Sequence, residues 1–215
     1  MHLLLINPNT SRATTESMAG IARNAMPGIT VECLTAPFGV PLITNATELA
    51  LAAEAVAAAL AAPRTGIDGI VIAAFGDPAL QSLRQRLAVP VTGIAEAGMA
   101  EAGQDGRRFA VVTTTPDLVT SIAGLAEGYG HGGAFLGTVL TKGDIRTVMA
   151  DPDRLAEALL EASRRAVREF GADAVVIGGG PLALAARRIG PDVPVPLIEP
   201  VPAAVRLAVA RAAKT

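Results

Sequence analysis

The 215-residue sequence is short of the side chains on which much enzyme chemistry rests: one cysteine, two histidines, one tyrosine, no tryptophan and 3% aromatic residues. A single cysteine, Cys33, excludes an intrachain disulfide. It sits in the apolar run ITVECL, where it reads as a small buried structural residue. His2 and His131, with no cysteine pair beside them, argue against a histidine-rich metal site, and no metal is expected. The sequence has no G-x-x-x-x-G-K-[ST], no H-E-x-x-H and no G-x-S-x-G, and the GGG of Gly178 to Gly180 lacks the spacing of a dinucleotide fingerprint. No cofactor is therefore expected. The net charge of −2 comes from scattered residues, with no basic stripe interleaved with aromatics, so nucleic acid is not an expected partner. No apolar run reaches the roughly 18 residues that a membrane span needs. His2 leads straight into an apolar stretch without a basic leader region, and a cytoplasmic location is the expectation.

What the sequence does contain is written twice. GIDGIVIAAFGDPAL (Gly66 to Leu80) returns as GADAVVIGGGPLAL (Gly171 to Leu184). Gly66 matches Gly171, Asp68 matches Asp173, Ile72 matches Ile177 and Ala74 matches Gly179, each 105 positions apart. In both copies a Gly-x-Asp leads into an apolar run that stops at small residues and a proline. That pattern predicts a buried parallel strand, a tight turn and a helix start. LLLINPNT (Leu3 to Thr10) echoes FAVVTTTP (Phe109 to Pro116), and VPVTGIAE (Val89 to Glu96) echoes VPVPLIEP (Val193 to Pro200). A repeat this long marks a duplicated domain.

The predicted elements alternate. Strands are expected at 2–6, 29–34, 69–74 and 89–94 in the first half, and at 109–112, 134–140, 174–177 and 195–198 in the second. Helices are expected from the turn Asn7 to Ser11 through about Ala25, over Ala46 to Ala61, after Asp77 and Pro78, over Pro152 to Phe170 and over Val201 to Ala212. Asn9 or Thr10 is the expected cap of the first helix. Alternating strands and helices imply parallel sheets covered on both faces, with ligands bound beyond the carboxyl ends of the strands.

Four strand-to-helix turns collect the polar residues: Asn7 to Ser11, Ala74 to Pro78, Thr113 to Pro116 and Gly178 to Pro181. Their outward backbone N–H groups could together hold a small anion such as a carboxylate; singly, each could merely cap its helix. Ionisable residues near the strand ends are few. Asp77 reads as a cap or a base, Glu199 as a cap or a cleft-facing carboxylate, and Tyr129 as a lid or a loop residue.

INPNTS (Ile6 to Ser11), IAAFGDPAL (Ile72 to Leu80), VVTTTP (Val111 to Pro116), VVIGGG (Val175 to Gly180) and PLIEPVPAAV (Pro196 to Val205) run in an order that resembles the aspartate/glutamate/hydantoin racemase superfamily, most nearly hydantoin racemase. The resemblance implies an α/β fold of two similar Rossmann-like parallel-sheet domains related by a pseudo-twofold. Residues 1–96 with 199–215 would form the first domain and 97–198 the second. It implies a closing helix that returns to the first domain, a ligand between the two, and a homo-oligomer. It also implies an isomerase in which two cysteines, one per half, pass a proton across the substrate's chiral carbon. Ala74 and Gly179 stand at those two positions, so the two-thiol mechanism cannot run. The binding residues that the resemblance carries over are Asn9, Ser11, Phe75, Gly76, Thr113, Thr114, Thr115, Gly179 and Gly180. Three readings follow: an enzyme on a small carboxylate or cyclic ureide using Asp77 or Glu199 as acid/base, including a decarboxylase or hydrolase; a non-catalytic small-acid binder; or a racemase stripped of its thiols by design.

Overall fold

The computed structural model describes residues 1–62 and 64–214. Pro63 and Thr215, both within the expected first domain, lie outside the described residues. In chain order the first half runs β1 (His2–Asn7), α1 (Arg12–Arg23), β2 (Thr30–Thr35), α2 (Ala46–Ala59), β3 (Gly69–Ile72), α3 (Leu80–Arg86), β4 (Val91–Gly93) and α4 (Ile94–Ala102). The second runs β5 (Phe109–Thr113), α5 (Val119–Gly128), β6 (Phe135–Leu140), α6 (Ile145–Met149), α7 (Pro152–Phe170), β7 (Ala174–Ile177), α8 (Ala183–Ile189) and β8 (Leu197–Ile198), and α9 (Pro200–Ala212) closes the chain.

The two halves repeat one topology. The first sheet has the order β2-β1-β3-β4 and the second β6-β5-β7-β8, and every pairing is parallel. Because successive strand residues point to opposite faces, each sheet feeds two layers. Leu3, Leu5 and Val71 join Phe109, Val111 and Val176 in a central core, packed with Met18 and Ile21 of α1, Ile94 and Met99 of α4, Ile122 of α5 and Val201 and Val205 of α9. Leu4, Ile6, Ile70 and Ile72 face outward against Val56 of α2 and Leu83 of α3. Ala110, Val112, Val175 and Ile177 do the same against Leu159 of α7 and Ala186 of α8. One apolar layer is therefore shared by both halves, and each half covers its other face alone.

The closing helix packs on β3, β4, α1 and α4. Its Pro200 falls at the first helical position, where a missing N–H costs nothing. α7 matches the expected span, and its amphipathic face buries Leu155, Leu159, Ala162 and Ala166. Other elements differ from expectation for local reasons. β4 stops at Gly93 because the chain enters α4 with no intervening loop, Gly93 ending the strand and preceding the helix. β8 is confined to Leu197–Ile198 because Pro194 and Pro196 carry no N–H for the ladder. α6 carries no apolar period long enough to announce itself.

Candidate functional site

Both central strands end alike. The last ladder bond of β3 runs from Ala73 N–H to Ile6 O at 2.8 Å, and that of β7 from Gly178 N–H to Val112 O at 2.7 Å. Ala74 and Gly179 follow directly, and both line one cavity of about 40 Å³ between the halves. The tips nearly touch. A Cβ added to Gly180 would stand 3.1 Å from Ala73 O and 2.5 Å from Met18 Sδ, so only glycine lets the second half approach this closely.

The floor of the cavity is polar and buried. Asn9 is 4% exposed; its side-chain oxygen accepts from Asn7 Nδ2 at 2.8 Å and from Ser11 N–H at 2.9 Å, which leaves its NH₂ group to donate into the cavity. Thr113 Oγ1 donates to Gly178 O at 2.9 Å, tying the β5 tip to the β7 tip. In the 3.0 Å Thr113–Thr115 contact the Thr115 hydroxyl must then be the donor, and its oxygen remains an acceptor. Thr114 adds a hydroxyl that can donate or accept. The backbone amides of Ala74, Phe75, Thr114 and Gly180 lie beyond the ladder ends at the same wall.

The mouth is apolar. Leu42, Ile43 and Leu49 come from the connection between β2 and α2 and the start of that helix, and Met149 comes from α6, in the corresponding connection of the second half. All four are half-buried, whereas the polar floor is buried. Phe75, Leu118 and Leu182 complete the walls. Every lining side chain is apolar, an amide or a hydroxyl.

Of the two strand-tip residues and the expected binding and acid/base residues, Asn9, Ala74, Phe75, Thr113, Thr114, Thr115, Gly179 and Gly180 converge on this cavity. Four do not line it. Ser11 is instead the N-cap of α1, its Oγ accepting from Thr14 N–H at 3.2 Å, in place of the Asn9 or Thr10 expected there. Gly76 turns toward Leu49. Glu199 does not face the cavity: it stands at the N-cap position of α9 without a side-chain capping bond, and its carboxylate pairs with Arg187 Nε at 2.8 Å. Asp77 is 5% exposed and turns away, accepting from Ala95 N–H at 2.9 Å and Glu96 N–H at 2.8 Å at the start of α4, and from the Tyr129 hydroxyl at 2.7 Å. It caps a helix, but one that begins 17 residues further on.

Burial pushes the Asp77 carboxyl up to about 6, against the pull of its three hydrogen bonds. Burial, and then the Asp77 charge, hold the Tyr129 phenol far above its ordinary value, so it stays a donor. Burial opposes ionisation of Glu96 too, but Arg211 and Arg84 hold its carboxyl below the usual range. Cys33, the one thiol, lies on β2, where burial pushes it up. Among the described residues no cluster of His, Cys, Asp and Glu is arranged to hold a metal ion, and no helix is long and apolar enough to cross a membrane.

Two like parallel-sheet halves, meeting at their strand tips around a polar-floored cavity, define an α/β protein of two similar domains. The chain belongs to the Asp/Glu/hydantoin racemase family, whose profile matches residues 3–208. It is 30% identical over 211 residues to a hydantoin racemase of Paenarthrobacter aurescens, covering 97% of this chain and 89% of that one. It is 31% identical over 210 residues to a hydantoin racemase of Pseudomonas sp. strain NS671, covering 97% and 84%. An allantoin racemase from Klebsiella pneumoniae superimposes with a TM-score of 0.91 at 34% identity, covering 100% of this chain and 88% of that one.

Proposed function

We propose that the cleft binds a small cyclic ureide or carboxylate with its polar face on the Asn9–Thr114–Thr115 floor and an apolar substituent toward Leu42, Ile43, Leu49 and Met149. The observation that carries this is the chemistry of the wall. Amide, hydroxyl and backbone N–H groups converge from both halves, which suits a planar C=O and N–H edge or one carboxylate, and the half-buried rim is entirely apolar. A second carboxylate, as in aspartate or glutamate, would find no cation there.

The same wall offers no side chain that can take up or release a proton near neutral pH. Asp77 and Glu199, the two carboxylates singled out from sequence as acid/base candidates, are both engaged elsewhere. These features support ligand binding without thiol-mediated inversion as the first reading.

A second reading is favoured by the racemases named above: an isomerase acting on the same ligand class through a group other than a thiol. Bound water would serve as base, and the backbone amides would steady enolate-like charge. One pair of measurements separates the two. Titration calorimetry with hydantoin, 5-benzylhydantoin, allantoin and succinate reads binding, and proton NMR in deuterated buffer reads the C5–H of the ureides. Binding of 5-benzylhydantoin with C5–H exchange at the buffer rate supports the first reading. Protein-catalysed exchange replaces it with the second. If none of the four probes binds, both fall.

A further inference from the structure

We propose that Asp77 is a positioning residue: held by Tyr129 from the second half and by the N-terminus of α4, it fixes the turn that forms the first-half wall of the cleft. The proposal rests on the geometry of that turn and is independent of which ligand enters.

The turn is one the chain does not adopt unaided. Asp77 and Ala79 both sit at positive φ, 47° and 65°, and they are two of only three such non-glycine residues among those described. Backbone of this kind persists where its surroundings over-determine it. The local bonds are sparse: Asp77 N–H reaches Ala74 O at 3.0 Å, and Leu80 N–H reaches Asp77 O at 3.1 Å. What fixes the turn is the side chain. Its two oxygens take the Ala95 and Glu96 N–H groups, one each, and the second also takes the Tyr129 hydroxyl.

The site is shaped around that carboxylate. A Cβ at Gly93 would overlap the Asp77 carboxyl group, so only glycine fits where β4 passes into α4. Tyr129 closes the C-terminal end of α5, and its own N–H is bonded back to Leu125 O at 2.9 Å. The ring thus reaches from one half to a turn belonging to the other, and that turn holds Ala74 and Phe75 against the cavity. The remaining charged groups beside Asp77 are spent on one another. Glu96 turns its carboxylate away to Arg84 at 2.6 Å and Arg211 at 2.8 Å. Neither guanidinium neutralises Asp77 directly, and the Tyr129 hydroxyl is the one side-chain donor it has among the described residues.

The test reads the wall without a ligand. Ala74→Cys places a reporter thiol on the wall, and native Cys33 on β2, separated from β3 by β1, serves as an internal control. Alkylation by iodoacetamide is followed for both thiols by mass spectrometry, at a temperature where every variant is folded. Adding Tyr129→Phe removes the hydroxyl and keeps the ring, and Asp77→Asn in parallel removes the charged acceptor. The expected result is about a ten-fold change in the labelling rate at position 74, the size expected from losing a hydrogen bond to a charged group, with Cys33 unchanged. Equal changes at both thiols would mean lost global stability only, and no change at position 74 would mean that the turn holds itself. Either outcome overturns the proposal.

Discussion

A carboxyl group whose pKa stands at about 6 in the fold and near 3.8 outside it makes stability depend on pH, and at Asp77 the sign is unusual for an acid. The folded chain holds the Asp77 proton more tightly than the unfolded chain does. Its contribution is therefore least favourable above pH 6, improves as pH falls through 6, and is complete below 3.8. The span corresponds to about 3 kcal/mol. Carboxylates held below their usual range, Glu96 among them, act in the opposite sense as pH falls, so the comparison must be between wild type and Asp77→Asn. Urea midpoints at pH 7.5 and 4.5 should show wild type gaining on the variant toward the acid side. A pH-independent gap would mean that Asp77 stays ionised throughout.

Among the elements, the start of α1 separates a structural from a binding role. Ser11 Oγ caps that helix, and Ser11 N–H also holds the Asn9 side chain, but the Ser11 side chain is not on the wall. Ser11→Ala should cost about 1 kcal/mol in thermal or urea unfolding and leave the affinity for 5-benzylhydantoin unchanged. Asn9→Ala should weaken that affinity at least as much as it lowers stability. The same helix shows where sequence reading reaches its limit. The strands, the paired tips at 74 and 179 and the span of α7 follow from apolar periodicity and the 105-residue echo, because both are local or self-referential signals. The partner of Asp77 is not local. Its cap role is legible from the Gly-Asp-Pro turn, but which helix it caps depends on how β3 and β4 lie side by side. The rim residues Leu42, Ile43 and Met149 were missed because nothing distinguishes an aliphatic side chain at a mouth from one in a core. Glu199 drew attention as a carboxylate at a strand end, but Arg187, 12 residues earlier, takes it up.

For the molecule as a whole, the decisive relation is that the two strand tips face one cavity. Ala74 and Gly179 occupy it from opposite halves, and Gly179 has φ 170°, an extended backbone that any residue adopts. A Cβ there meets only the side chain of Leu182, at 3.2 Å, and Pro181 Cδ at 4.0 Å. The double substitution Ala74→Cys with Gly179→Cys should fold and should exchange the C5–H of 5-benzylhydantoin in deuterated buffer, each single variant doing so far less. A stable double variant without exchange would show that the tips are not disposed across a common carbon. The position of α9 has another consequence. The first sheet takes part of its inner cover from the thirteen residues of α9, Pro200–Ala212, which follow the whole second half in sequence. Whatever loosens α9 would therefore strip β3 and β4 on their inner side first, and leave standing the outer layers, α2 and α3 on one sheet and α7 and α8 on the other.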